Sequence, residues 1–152
     1  MNTHLMIWSV FLFFFSMSYT TYAQQDSIVG YWLNKSKDAK IEIFKKENNW
    51  YYGRLVWLKD SLDVEGEPKK DVNNPEPSLR NRPLKDMILL KEFSKDRKQY
   101  TGGTIYDPQN GKTYSCKIRF KDRNTLIIRG YVGVPLFGRT TTWSRTSVKL
   151  EK

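Results

Sequence analysis

The chain has 152 residues, 39% of them hydrophobic and 14% aromatic, with 26 Lys and Arg against 16 Asp and Glu for a net charge of +10. That length suits one domain with its own core, and a single Cys excludes an internal disulfide and a thiolate metal cage. The only His is His4, inside an apolar leader, so the rest of the chain has no Ser-His-Asp or Cys-His catalysis, His-bound zinc or His pH switch.

Residues 5–19 are an uncharged run of Leu, Met, Ile, Trp, Val and Phe with small polar interruptions, followed by Thr21-Tyr22-Ala23. The run is shorter than the ~20 apolar residues of a membrane span, and Ala23 ends an A-x-A-like cleavage site. Residues 1–23 are therefore predicted to be a cleaved secretory signal, although residues 2–4 supply no Lys or Arg. The product would start at Gln24, span no membrane, and reside in the periplasm or outside the cell. No Cys follows the site to carry a lipid anchor.

The remainder, 24–152, is predicted to be one β domain. Strands are expected at 28–33, at 40–44 with Ile41 and Ile43 on one face, and at 50–58, separated by charged or Asn-rich turns. Residues 59–83 break the pattern. They hold no sustained apolar period, and the piece from 59 to 86 nets −1 while all other residues net +11. Asp71, Asn74, Arg80 and Arg82 alternate there with Pro75, Pro77 and Pro83, which predicts an ordered flap over 71–83 with 61–70 as its mobile part. In that flap Asp71 is expected to pair with Arg80, leaving Arg82 the freer cation.

A short strand at 87–90 and a charged connection at 91–98 come next. Four more strands follow from residue 99 to residue 146, joined by a Tyr106-Asp107-Pro108 to Gly111 turn, a polar turn at 121–124 and a Gly- and Pro-rich loop. Cys116 shares a face with Tyr114, Ile118 and Phe120 and reads as a core thiol. Gly102-Gly103 lacks the strand–helix context of a phosphate loop and reads as a bulge or close packing. Eight strands joined mostly by tight turns predict an all-β, antiparallel up-and-down barrel with the long loop over one end.

Gly30-x-Trp32 on the first strand and Trp143-x-Arg145 on the last resemble the lipocalin-like closure, in which a final-strand Arg lies over the first strand's Trp. Three longer blocks widen the resemblance. They are Asp71…Asn74-Pro75…Leu79-Arg80-x-Arg82-Pro83-Leu84, Gly102-Gly103-x-Ile105-Tyr106-Asp107-Pro108…Gly111-Lys112-x-Tyr114, and Leu126…Arg129-Gly130-Tyr131…Gly138-Arg139-Thr140…Trp143-x-Arg145. Together they resemble the bacterial domain of unknown function 2147 family of secreted, lipocalin-like proteins, and imply that fold and export. Lys85-Asp86 departs from the family's tendency to carry Gly there, which puts the local bend in question. The family brings no assigned activity, so no catalytic residue carries over.

Asp71, Asn74, Arg80, Arg82, Tyr106, Arg129 and Arg139 are the candidate ligand-binding residues, and Gly30, Trp32, Trp143 and Arg145 the candidate closure. No metal ligand set or cofactor motif is visible, and no catalytic constellation beyond scattered Asp, Glu, Lys, Tyr and Arg. The first functional expectation is an envelope binding protein holding a small amphipathic or anionic ligand at the barrel mouth. The second is a solid barrel docking its basic surface on an acidic envelope component. Nucleic acid is disfavoured, because a small barrel uses its aromatics to fill its interior.

Overall fold

The computed structural model describes residues 27–147; the predicted signal at 1–23 lies outside them. Eight strands follow in order: β1 Gly30–Leu33, β2 Ala39–Lys45, β3 Tyr51–Leu58, β4 Ile88–Asp96, β5 Gln99–Asp107, β6 Lys112–Asp122, β7 Thr125–Tyr131 and β8 Arg139–Thr146. Each pairs antiparallel with the next, and β8 returns to β1 to close the barrel. The turns therefore alternate between two ends. The β2–β3, β4–β5 and β6–β7 turns share one end with the start of β1, and the other four connections ring the opposite end, the mouth.

Alternation makes the wall. On β6 and β7, Cys116, Ile118, Leu126 and Ile128 are buried while Lys117 and Arg119 face water. Cys116 is fully buried, and burial pushes its thiol up to about 12, the state of an inert core group. Strand β4 departs from expectation by running to Asp96, through what reads as a charged connection. Two bulges explain this: Gly53 pairs with Leu90 while Arg54 pairs with Ile88, and Tyr51 pairs with Phe93. The extra residues put Leu89, Leu90 and Phe93 all inside and turn Glu92 to φ 61, so period two is lost in the sequence although the strand continues. Gly103 lies against Phe93 and the Lys91 carbonyl, in a β5 that shifts register between Tyr100 and Gly103, as close packing and a bulge require.

The end opposite the mouth is filled. Trp32 meets Phe120 edge-on at 6.1 Å and Tyr51 meets Tyr100 at 4.9 Å, with Phe93 and Leu126 nearly inaccessible between the strands. Each such side chain contributes ~1.5–3 kcal/mol by leaving water. Arg145 seals this end. Its guanidinium lies 4.2 Å from the Trp32 ring centre and donates to the carbonyls of Ser27 at 2.9 Å, Arg123 at 3.4 Å and Val29 at 3.5 Å. Gly30 sits at φ +136, and a Cβ there would come within 3.1 Å of that guanidinium, which explains Gly-x-Trp. Arg145→Ala should lower unfolding free energy by ~1–3 kcal/mol, through the lost cation–π contact and orphaned acceptors. Arg123→Ala removes only an exposed side chain and should stay within ~0.5 kcal/mol. Equal urea midpoints for the pair would contradict this account of the closure.

Candidate ligand-binding site at the barrel mouth

Toward the mouth the barrel is hollow. A cavity of about 910 Å³ opens there, floored by Ile41, Leu55, Ile128 and Trp143 and walled by Leu58, Leu84, Leu89, Ile105, Tyr114 and Tyr131. The interior is thus part solid and part empty, where eight strands permit either. Around the rim stand Lys35, Lys69, Lys112 and Arg139, with Asp38, Asp60 and Asp107. Two of the acids have local work. Asp38 accepts from Asn34 Nδ2 at 2.6 Å, and Asp107 caps its own turn by accepting from Gln109 N–H and Asn110 Nδ2, each at 2.9 Å. Among the described residues, the side chains of the four rim cations make no hydrogen bond or ion pair.

The flap is built on Asp71. Its backbone N–H donates to the Arg82 carbonyl at 3.0 Å, and Lys70 bridges Pro83, so 69–71 and 82–84 form a short antiparallel ribbon. The Asp71 carboxylate is inaccessible to water. It accepts from the Tyr106 hydroxyl and Asn74 Nδ2, both at 2.6 Å, and from Arg82 Nε and Nη2 at 3.0 and 2.8 Å. Burial alone would push this carboxyl up; the hydrogen bonds from Tyr106, Asn74 and Arg82, with the Arg82 charge, outweigh it and hold the pKa below the usual value. Burial, then the hydrogen bond to Asp71 and its charge, push Tyr106 up to about 12.

The expected partner of Asp71 is thus corrected from Arg80 to Arg82. The ribbon sets residue 82 directly opposite Asp71, whereas Arg80 follows the 3-10 turn Pro77–Leu79 and curls back to donate to the Asn74 carbonyl at 2.8 Å. Arg82 and Arg80 are two residues apart and point alike in an extended chain, so spacing could not separate them. The flap is latched at its other edge by Asn73 Nδ2, which donates to the carbonyls of Pro108 and Gln109 at 3.2 and 3.0 Å. Its last bend puts Asp86 at φ 66, the left-handed backbone that Gly adopts most readily, so the bend survives the departure at Lys85-Asp86.

Of the candidate residues, Arg139 and Tyr106 line the cavity, Tyr106 with its hydroxyl committed to Asp71. Asp71, Asn74, Arg80 and Arg82 are spent on holding the flap. Arg129 alternates with buried Ile128 and faces outward, where it donates to the carbonyls of Pro135 and Leu136 and to Thr140 Oγ1 at 2.7, 3.1 and 2.7 Å. Arg145 belongs to the opposite, sealed end. Lys35, Lys69 and Lys112 escaped sequence reading. The available signal was topological: in an up-and-down barrel the first, third, fifth and seventh connections share an end, and these lysines sit in or beside them. No group of three or more His, Cys, Asp or Glu is placed to hold a metal among the described residues. None of their helices is long and apolar enough to cross a membrane.

A cavity with an apolar floor, entered from one end of a closed eight-stranded antiparallel barrel, with a basic residue over the first strand's Trp, defines a lipocalin-like protein. Among solved structures, the chain is similar to protein HP1028 from the human pathogen Helicobacter pylori, which is described as belonging to the lipocalin family. The TM-score is 0.67 at 28% identity, over 81% of this chain and 85% of that one. Residues 30–145 match the model of the uncharacterized proteins conserved in bacteria, domain of unknown function 2147, and the chain belongs to that family. A comparison with curated proteins gives no match.

Proposed function

We propose that the protein is an exported, non-enzymatic binding protein of the cell envelope, and that it holds a small amphipathic acidic molecule at the barrel mouth. A lipocalin-like fold suggests ligand binding in general. The observation that carries the finer reading is the pairing of an apolar cavity floor with four rim cations whose side chains have no partner among the described residues. Its volume lies within the range of small-molecule sites, with apolar walls for the tail and convergent charge for the head. Titration with a medium-chain fatty acid, read by tryptophan fluorescence through Trp143, tests it. Lys112→Gln with Arg139→Gln should weaken binding about tenfold and leave a fatty alcohol of equal length unaffected. Equal losses for both amphiphiles, or no binding of either, would reject the reading.

Export rests on the uncharged run at 5–19 and on Ala23. The intact mass of protein recovered from its own host should correspond to a start at Gln24; a membrane-bound product retaining Met1 would reject it. The second reading, docking on an acidic envelope component, draws on a separate exterior depression of about 450 Å³. Lys46, Arg82, Lys85 and Lys91 line it, with Asp86 as its one acid. Retention on a polyanion column by the cavity-rim double variant, undiminished from wild type, is the result expected if that face acts independently.

A further inference from the structure

The β7–β8 loop, residues 132–138, has no function in the reading above. It contains no charged residue, and its Val132, Val134, Leu136 and Phe137 are 72, 53, 78 and 79% exposed. Single exposed apolar residues are ordinary, but four on one short loop mark a surface that meets something. The loop is held open in a fixed shape. Arg129 donates to two of its carbonyls, Pro135 begins the 3-10 turn Pro135–Phe137, and the Gly138 N–H closes that turn on the Pro135 carbonyl at 3.2 Å. An apolar loop free to relax would fold over the adjacent cavity; this one is tied outward.

Two further observations indicate what covers it. Val132 and Phe137 also line the cavity, so apolar surface runs without a break from the cavity to the loop tip. Lys35, Lys112 and Arg139, whose side chains have no partner among the described residues, stand at the same end. An apolar tip collared by cations matches the interface of an acidic bilayer, where aliphatic and aromatic side chains sink among acyl chains and Lys and Arg meet headgroups. A groove on another protein would accept the tip but would need neither the cations nor the continuity with the cavity. The hairpin that carries Asp60, Asp63, Glu65 and Glu67 opposes acidic headgroups, so contact is confined to the β7–β8 side of the mouth.

We propose that residues 132–138 insert into the outer layer of an acidic lipid membrane. Resting on the amphiphile-binding reading, this would let the ligand pass between bilayer and cavity without crossing water. Flotation of the purified protein with phosphatidylcholine vesicles, with and without about 30% phosphatidylglycerol, tests the insertion. Wild type should float with the acidic vesicles and far less with neutral ones. Val134→Ser with Leu136→Ser should cut the bound fraction about tenfold at unchanged melting temperature. Neither residue lines the cavity, so this variant should still bind the soluble fatty acid as wild type does. Equal flotation of variant and wild type would overturn the proposal, because charge alone would then suffice. Absence of wild-type binding to either vesicle would also overturn it, and would leave the tip to a protein groove. If flotation depends on the tip but no fatty acid binds, insertion stands and the binding reading fails.

Discussion

Asp71→Ala is expected to lower the free energy of unfolding by ~4 kcal/mol, the cost of dismantling a buried, fully hydrogen-bonded charge. The Tyr106 hydroxyl would be left in the interior without its acceptor and the Asn74 amide with only its 3.2 Å bond to the Tyr106 oxygen, while Arg82, partly exposed, could turn to water. Arg82→Ala should cost less, ~2–3 kcal/mol, because the carboxylate keeps two of its donors. Arg80→Ala removes one partly buried hydrogen bond and should cost ~1 kcal/mol. Urea midpoints give the order, and an Arg80 variant as unstable as the Arg82 variant would contradict it. The pH dependence has a fixed sign. Asp71 is held below its ordinary value, so its contribution is whole above about pH 4 and fades as pH falls through the native pKa. Tyr106, raised to about 12, acts at the other limit: stability drains as pH climbs from ~10, where the unfolded phenol ionises, towards 12. Without Arg82, burial is less well opposed at Asp71 and the acid limb should flatten.

Gly111→Ala is expected to cost ~3 kcal/mol and to release the flap. Gly111 is at φ +70, and a Cβ there would collide with the Asn73 carbonyl, the point where flap and β5–β6 turn touch. Gly133 offers the control, with φ +71 and nothing within 4 Å of its Cβ. Gly133→Ala should show the backbone strain alone, ~1 kcal/mol. Trypsin adds a second reading, since cleavage after Arg80 should accelerate in the Gly111 variant and not in the Gly133 variant; the bond after Arg82 is protected by Pro83. Indistinguishable midpoints and cleavage rates would show that the flap is held elsewhere.

Strand alternation, Gly-x-Trp and Trp-x-Arg carried the fold into the sequence, because side-chain period and cap chemistry are local. What escaped is non-local. The bulges in β4 put consecutive residues Leu89 and Leu90 on one side, and only pairing with β3 reveals that. The choice between Arg80 and Arg82 depends on how the ribbon at 69–71 and 82–84 registers. Arg129 and Arg139 could have been told apart by parity, since one alternates with Ile128 and the other shares a face with Trp143. The cavity leaves no trace in the sequence, because empty volume is set by which side chains from several strands fail to meet.

The seal at Arg145 also bears on the order in which the chain organises itself. Seven of the eight strand pairings join neighbours in sequence, six of them across short turns, whereas the hydrogen bond from Arg145 to the Ser27 carbonyl spans 118 positions. Loop-closure entropy makes that contact the costliest to form, so the meander of neighbouring strands is expected to assemble first and the β1–β8 seam to close last. Mutations at Trp32 or Arg145 should then speed unfolding while hardly slowing refolding, and the native state should open, when it opens locally, along the β1–β8 seam.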